Sequence, residues 1–170
     1  AFLKAMKAEL GKKYSEDART SKHYARIINE KHFERLKGYL DNSLELGAKV
    51  VYGGGVKASE NYIAPTIVED VPLESAVMEH EIFGPILPVL SYTNKDRVIE
   101  LVNSKEKPLA LYIYSKSRKN IRFFMENTSA GGSCINMSAI HIGNPYLPFG
   151  GVNNSGIGKS NGHFGFLEFS

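Results

Sequence analysis

A single cysteine stands among the 170 residues, so no intramolecular disulfide can staple the chain. Surplus charge is also scarce. Lys and Arg number 21 against 18 Asp and Glu, a formal +3, and no basic stripe interleaved with aromatics accompanies it. That excludes nucleic acid as an expected partner. No apolar run approaches the roughly 18 residues that a membrane span needs, and Lys4, Lys7 and Glu9 interrupt any signal-peptide reading of the N-terminus. Internal repeats, low-complexity tracts and linkers are missing too. Hydrophobic residues at 42% and charged residues at 23% are ordinary globular proportions, which rules out wholesale disorder and fibrous structure. The expectation is one soluble, cytoplasmic domain with no membrane contact.

The chain opens on Ala1 directly into Phe2-Leu3-Lys4 and closes on Phe169-Ser170 after an apolar run, which reads as a piece of a longer polypeptide cut at both ends. Phe2, Leu3, Met6 and Leu10 recur at helical spacing, with Gly11 as the expected stop. Residues 15–22 are polar and read as a loop. Asn29 stands where a helix N-cap belongs, ahead of an apolar stripe of Phe33, Leu36, Leu40 and Leu44. Gly47 stops that helix before a strand at 50–52. The glycines at 53–55 read as a flexible turn. A second strand is expected over 62–68, at a sheet edge because of Pro65.

The second half reads β-α-β-α-β, with strands at 88–92, 109–114 and 133–137 and helices at 95–104 and 118–127. Thr93-Asn94-Lys95-Asp96 fits a capping box. Val98, Leu101 and Val102 give one buried face, and Ile121, Phe124 and Met125 the next. The strand at 109–114 is apolar on both faces, as in a central parallel strand, and the connections suit helical crossovers. The fold class is therefore α/β with a mostly parallel sheet. Beyond Met137 periodicity gives way to Gly, Pro and Asn, a composition typical of functional loops.

Four candidate sites emerge. Gly158-Lys159-Ser160 resembles the end of a phosphate-cradling loop, but Asn153 occupies the first glycine position, no strand leads in, and Gly162 and Gly165 oppose the helix that should follow. Cys134 is either a nucleophile, with His141 seven residues on, or a small buried strand residue, the commoner fate of cysteine. Glu79-His80-Glu81-Ile82-Phe83-Gly84-Pro85 sets a carboxylate and an aromatic beside a Gly-Pro turn, where Gly84 supplies backbone freedom and Pro85 stiffness. Leu147-Pro148-Phe149-Gly150-Gly151 is an aromatic anchoring a turn. On composition alone Glu81 is a solvated charge, and His23, His32, His80 and His163 show no metal-ligand spacing.

The last two segments carry a resemblance. Glu81-Ile82-Phe83-Gly84-Pro85 resembles the E-I-F-G-P signature of aldehyde dehydrogenases. Pro148-Phe149-Gly150-Gly151 with Asn154-Ser155-Gly156 is similar to their P-F-G-G-x-x-x-S-G segment. Tyr24-Ala25-Arg26-Ile27-Ile28-Asn29 with His32-Phe33, and Lys107-Pro108-Leu109-Ala110-Leu111, resemble the class 3, or fatty-aldehyde, branch. The likeness runs over the whole chain and implies the C-terminal, catalytic-domain portion of such an enzyme, with an aldehyde as substrate, NAD or NADP as cofactor and a homodimer as the assembly.

In that family a cysteine thiolate attacks the aldehyde, hydride passes to the nicotinamide, and a glutamate-activated water releases the carboxylate. The resemblance implies that Glu81 grips the nicotinamide ribose, a suitable task for a carboxylate facing two vicinal hydroxyls. It implies further that Phe83 limits the drift of the nicotinamide and that Phe149 lines the aldehyde channel. Asn136 and the Gly150-Gly151 turn would support the pocket floor, with His141 near the substrate entrance.

The family's nucleophile, general base and glycine-rich cofactor half precede the matched region. No catalytic residue is therefore expected within this chain, and Cys134 does not occupy the nucleophile's position. His80 stands where a second glutamate is common, and Asn153 where class 3 members often carry glycine. The expectation is an enzyme portion inactive by itself. A P-loop-like nucleotide-binding module and a non-catalytic assembly domain are the alternatives.

Overall fold

The computed structural model describes residues 1–170. They divide into two compact units, Ala1–Ser91 and Tyr92–Ser170.

The first unit begins with α1 (Phe2–Tyr14). Gly11 lies inside this helix rather than ending it, in open space, so only its intrinsic propensity opposes the extra turn. Tyr14 packs edge-on against Tyr24, whose ring in turn meets Tyr62. The Tyr24 hydroxyl donates to the Ile63 carbonyl at 2.7 Å, and burial pushes its pKa up. The 23–29 segment therefore works as a strap that fixes where α2 (Glu30–Glu45) starts. Asn29 caps that helix as expected, its side chain accepting from the His32 N–H at 2.9 Å.

Phe33, Leu36 and Leu40 are buried along α2, but Leu44 is 38% exposed and Ser43 takes the inner position, its hydroxyl donating to the Tyr39 carbonyl. Strands β1 (Lys49–Tyr52), β2 (Val56–Lys57), β3 (Tyr62–Ile63), β4 (Thr66–Glu69) and β5 (Ile86–Pro88) follow, with the short helix α3 (Ala76–Glu79) before β5. The expected strand over 62–68 is thus two strands. Pro65 falls between them and needs no edge, and β4 is the middle strand of β1-β4-β5. It pairs antiparallel with β1 and parallel with β5. The inward faces of α2 and β3–β5 make the core, with Phe33, Leu36, Ile63 and Val68 at its centre.

Glu60 gathers three cations, Lys57 by a hydrogen bond, Arg19 at 3.5 Å and Arg26 at 3.6 Å. The Lys57 hydrogen bond above all lowers its carboxyl pKa; burial pushes the other way, and the charges of Lys57, Arg19 and Arg26 add smaller downward contributions. Because the folded value lies below the unfolded one, the cluster stabilises the fold above the ordinary carboxylate range and ceases to do so as pH falls through the folded value. In urea titrations, Glu60→Gln is expected to be less stable than the parent at neutral pH. The two should converge as the solution is acidified from the ordinary carboxylate range down through the lowered folded value.

The second unit contains α4 (Lys95–Asn103), β6 (Ala110–Ile113), α5 (Arg118–Asn127), β7 (Gly132–Ile135) and α6 (Gly162–Glu168). Asn94, not Thr93, caps α4, accepting from the Asp96 N–H at 2.8 Å. β6 and β7 pair in parallel across α5, the expected crossover. The strand expected at 88–92 lies earlier, at β5, and belongs to the first unit's sheet. The fold is α/β with parallel strand pairs, mixed with antiparallel ones in the first unit. α6 forms despite its two glycines. Glu168 in its last turn accepts from the Lys159 N–H at 3.1 Å, which ties the helix back onto the preceding loop. No helix is long and apolar enough to cross a membrane.

Candidate functional site

In the first unit, residues 81–85 form an elbow between α3 and β5, and α2 holds it from three positions. Arg35 donates to the Ile82 carbonyl at 3.0 Å and the Glu81 carbonyl at 3.5 Å, with its guanidinium over the Tyr39 ring. Tyr39 stacks on His80 at 5.3 Å between centroids. Leu36 lies directly under Gly84, where a Cβ would come within 2.4 Å of a Leu36 methyl. Gly84 is therefore required for close approach. The left-handed backbone conformation expected of it falls instead on Phe83, at φ 42°.

Such a φ strains a bulky aromatic by about 1–3 kcal/mol and persists only where surrounding contacts impose it. Phe83 is also 79% exposed, so its ring contributes little to the unit's own packing. Glu81 is exposed as well, and what the fold uses is its carbonyl, not its carboxylate. The elbow therefore presents an anion and an aromatic, two residues apart, on a backbone held from α2. That combination suits a diol beside a flat ring.

In the second unit the expected residues divide: Asn136 stands at the carboxyl ends of β6 and β7, whereas the turn after Phe149 lies at their amino ends, where Gly150 approaches Gly131 and His141 covers Gly132. Asn136 follows β7 at φ 56°. Its side-chain oxygen accepts from the Ser115 N–H at 2.8 Å, and its amide donates to the Ser115 carbonyl at 3.1 Å. It locks the two strand ends together, a supporting task. His141, in the turn Ile140–Gly143, folds back until its Nδ1 is 3.2 Å from Cys134 Sγ. Both residues are buried at 8% exposure, and His141 Nε2 has no hydrogen-bond partner. Tyr112 and Phe149 meet the imidazole edge-on, at 5.9 and 5.7 Å. Cys134 is thus the small buried strand residue of the plainer reading, with a histidine added. Phe149 and His141 are brought together, the imidazole buried against the half-buried phenyl ring.

Gly158-Lys159-Ser160 makes no phosphate cradle. The Lys159 ammonium is taken by the carbonyls of Gly150 and Gly151, at 2.8 and 2.9 Å, and its N–H by Glu168. Sequence reasoning missed Arg35 and Tyr39, whose partners lie more than 40 residues away in the chain, and it singled out Lys159 for a phosphate rather than for the carbonyls it binds.

These features fit one class of protein, an α/β enzyme portion with a braced elbow that exposes a carboxylate and an aromatic ring, and an aromatic-bearing loop. The family model for the aldehyde dehydrogenase family matches residues 1–170. The chain is 45% identical over 169 residues to the rat dimeric NADP-preferring aldehyde dehydrogenase, covering 99% of this chain and 36% of that protein. It is 44% identical to aldehyde dehydrogenase family 3 member H1 of Arabidopsis thaliana, covering 99% of this chain and 35% of that protein. The substrate-bound state of Staphylococcus aureus AldH superposes with a TM-score of 0.91 at 38% identity, over 98% of this chain and 36% of that one. A Mycobacterium tuberculosis aldehyde dehydrogenase complexed with NAD+ does so with a TM-score of 0.78 at 31% identity, over 88% of this chain and 31% of that one. The chain belongs to the aldehyde dehydrogenase family, and it spans about a third of the length of the relatives it matches.

Proposed function

We propose that this chain is the cofactor-clamping and substrate-channel portion of a class 3 aldehyde dehydrogenase that oxidises an aldehyde to a carboxylate with NADP or NAD. The observation that carries this is the 81–85 elbow, with Glu81 and Phe83 exposed on a backbone that α2 fixes from beneath. The fit of a nicotinamide riboside is chemical. Glu81 offers a carboxylate whose two oxygens can accept from vicinal ribose hydroxyls, and Phe83 a ring face for the nicotinamide. When bound, the cofactor supplies the two-electron acceptor for the aldehyde.

The residues of this chain orient and enclose. Glu81 sets the rotation of the sugar, Phe83 restricts sliding of the ring, and Phe149 forms a wall for the aldehyde. Asn136 keeps the floor from spreading, and His141 buttresses Phe149 from the interior. The attacking thiolate and the general base come from the portion of the protein that this chain does not span. The relatives named dimeric support a homodimer for the whole protein.

The test is to supply the full-length protein with a panel of aldehydes and either NAD or NADP and follow reduced nicotinamide by its absorbance. Aldehyde-dependent reduction with at least one cofactor is expected. Its absence with both, from folded protein, overturns the proposal. The 170 residues alone should show none.

A further inference from the structure

Gly158-Lys159-Ser160 has a second use. We infer that Lys159 is a positioning residue for aldehyde selection, holding the Phe149 turn in place through the main-chain oxygens of Gly150 and Gly151. The inference rests on the reading of Phe149 as the channel wall and adds the device that fixes it.

The two segments meet as a small clasp. Phe149 and Ser160 form an antiparallel bridge, N–H to carbonyl both ways, at 3.0 and 2.7 Å. The Ser160 hydroxyl adds a third bond to the Phe149 carbonyl at 3.0 Å. Beyond the bridge the Phe149 turn leaves two carbonyls in succession, Gly150 and Gly151, with the half-buried Lys159 ammonium between them. Its aliphatic stem lies along Gly150, where a Cβ would come within 3.2 Å of Lys159 Cδ and 2.4 Å of the Gly158 carbonyl. The glycine and the lysine therefore fit one another sterically as well as by charge.

An ammonium has three donors on a single point charge, so one lysine can gather two oxygens that would otherwise repel across a tight turn. Glu168 does not compete for it, because its carboxylate is engaged by the Lys159 N–H next to Gly158. Lys159 thus fixes the exit of the turn while the Ser160 bridge fixes its entrance. With both ends set, the Phe149 ring stays edge-on to His141. Loss of the ammonium frees the two carbonyls to turn towards water, and the ring then samples several directions.

The experiment compares Phe149→Leu, Lys159→Met, Lys159→Arg and the double variant Phe149→Leu/Lys159→Met in the full-length protein. KM for a short and a long aldehyde, KM for NADP and kcat are measured on each, with thermal melts alongside. Lys159→Met is expected to raise the aldehyde KM about tenfold and to narrow the difference between the two aldehydes, with the NADP KM unmoved. Lys159→Arg, which can still donate to both carbonyls, should recover to within about threefold of the parent. On the Phe149→Leu background, Lys159→Met should add almost nothing.

If Phe149→Leu shifts the aldehyde KM and Lys159→Met does not, the inference fails while the channel reading stands. If Phe149→Leu leaves aldehyde kinetics unchanged, the channel reading fails and takes the inference with it. Full additivity of the two changes, or an equal rise in the NADP KM, makes Lys159 merely structural and overturns the inference. Should Lys159→Met not fold, Lys159→Gln, which shortens the stem and removes the ammonium between the Gly150 and Gly151 carbonyls, is judged by the same outcomes.

Discussion

Glu81→Gln in the full-length protein is expected to lower kcat/KM for the nicotinamide cofactor by roughly 10- to 100-fold, through KM, kcat or both, while leaving the melting temperature where it was. The magnitude follows from exchanging charge-assisted hydrogen bonds to two hydroxyls for neutral ones. The unchanged stability follows from the elbow's construction. Arg35 holds the Glu81 carbonyl, not its carboxylate, and that carbonyl survives the substitution. Steady-state kinetics with varied cofactor and a thermal melt decide the matter together. Parent-like kinetics would refute the ribose contact, and a large fall in melting temperature would make Glu81 a fold residue.

Leu36→Ala should cost about 2–5 kcal/mol of stability, the range for emptying a fully buried leucine site. Urea titration measures it. The same substitution should also loosen the elbow, because the leucine's methyls are what Gly84 rests on. Gly84→Ala alone forces its new methyl into those groups and is expected to destabilise severely. Combined with Leu36→Ala it should cost clearly less than the sum of the two, since the cavity receives the methyl. Strict additivity would mean that the two residues are not in contact.

Much of this was legible in the amino-acid order, wherever the governing interaction is local. The Asn29 cap, the burial of Phe33, Leu36 and Leu40 along α2 and the β6-α5-β7 crossover all follow from spacing within about two dozen residues. The elbow was legible as a place, from its carboxylate, aromatic and Gly-Pro pair. The reason for its glycine was not, because proximity to Leu36 is a tertiary fact 48 positions away in sequence, 84 − 36. Pro65 suggests an edge strand only if 62–68 is one strand; the break at Ala64-Pro65 lets β4 sit mid-sheet. Gly162 and Gly165 argue against a helix that the Glu168 carboxylate in its last turn helps to secure by accepting from the Lys159 N–H. Lys159 resembled a phosphate ligand because local pattern reports residue type and order, whereas its role depends on carbonyls brought back by the bridge to Phe149.

The bracing of the elbow by one face of α2 has an evolutionary corollary. Arg35, Leu36 and Tyr39 are answerable to His80, Glu81, Ile82 and Gly84, so drift at one set should be matched by drift at the other. Among related sequences these positions should change together, even though most of them touch no ligand. Inherited or engineered variants on that helix would then disturb the elbow as well as the stability of the unit.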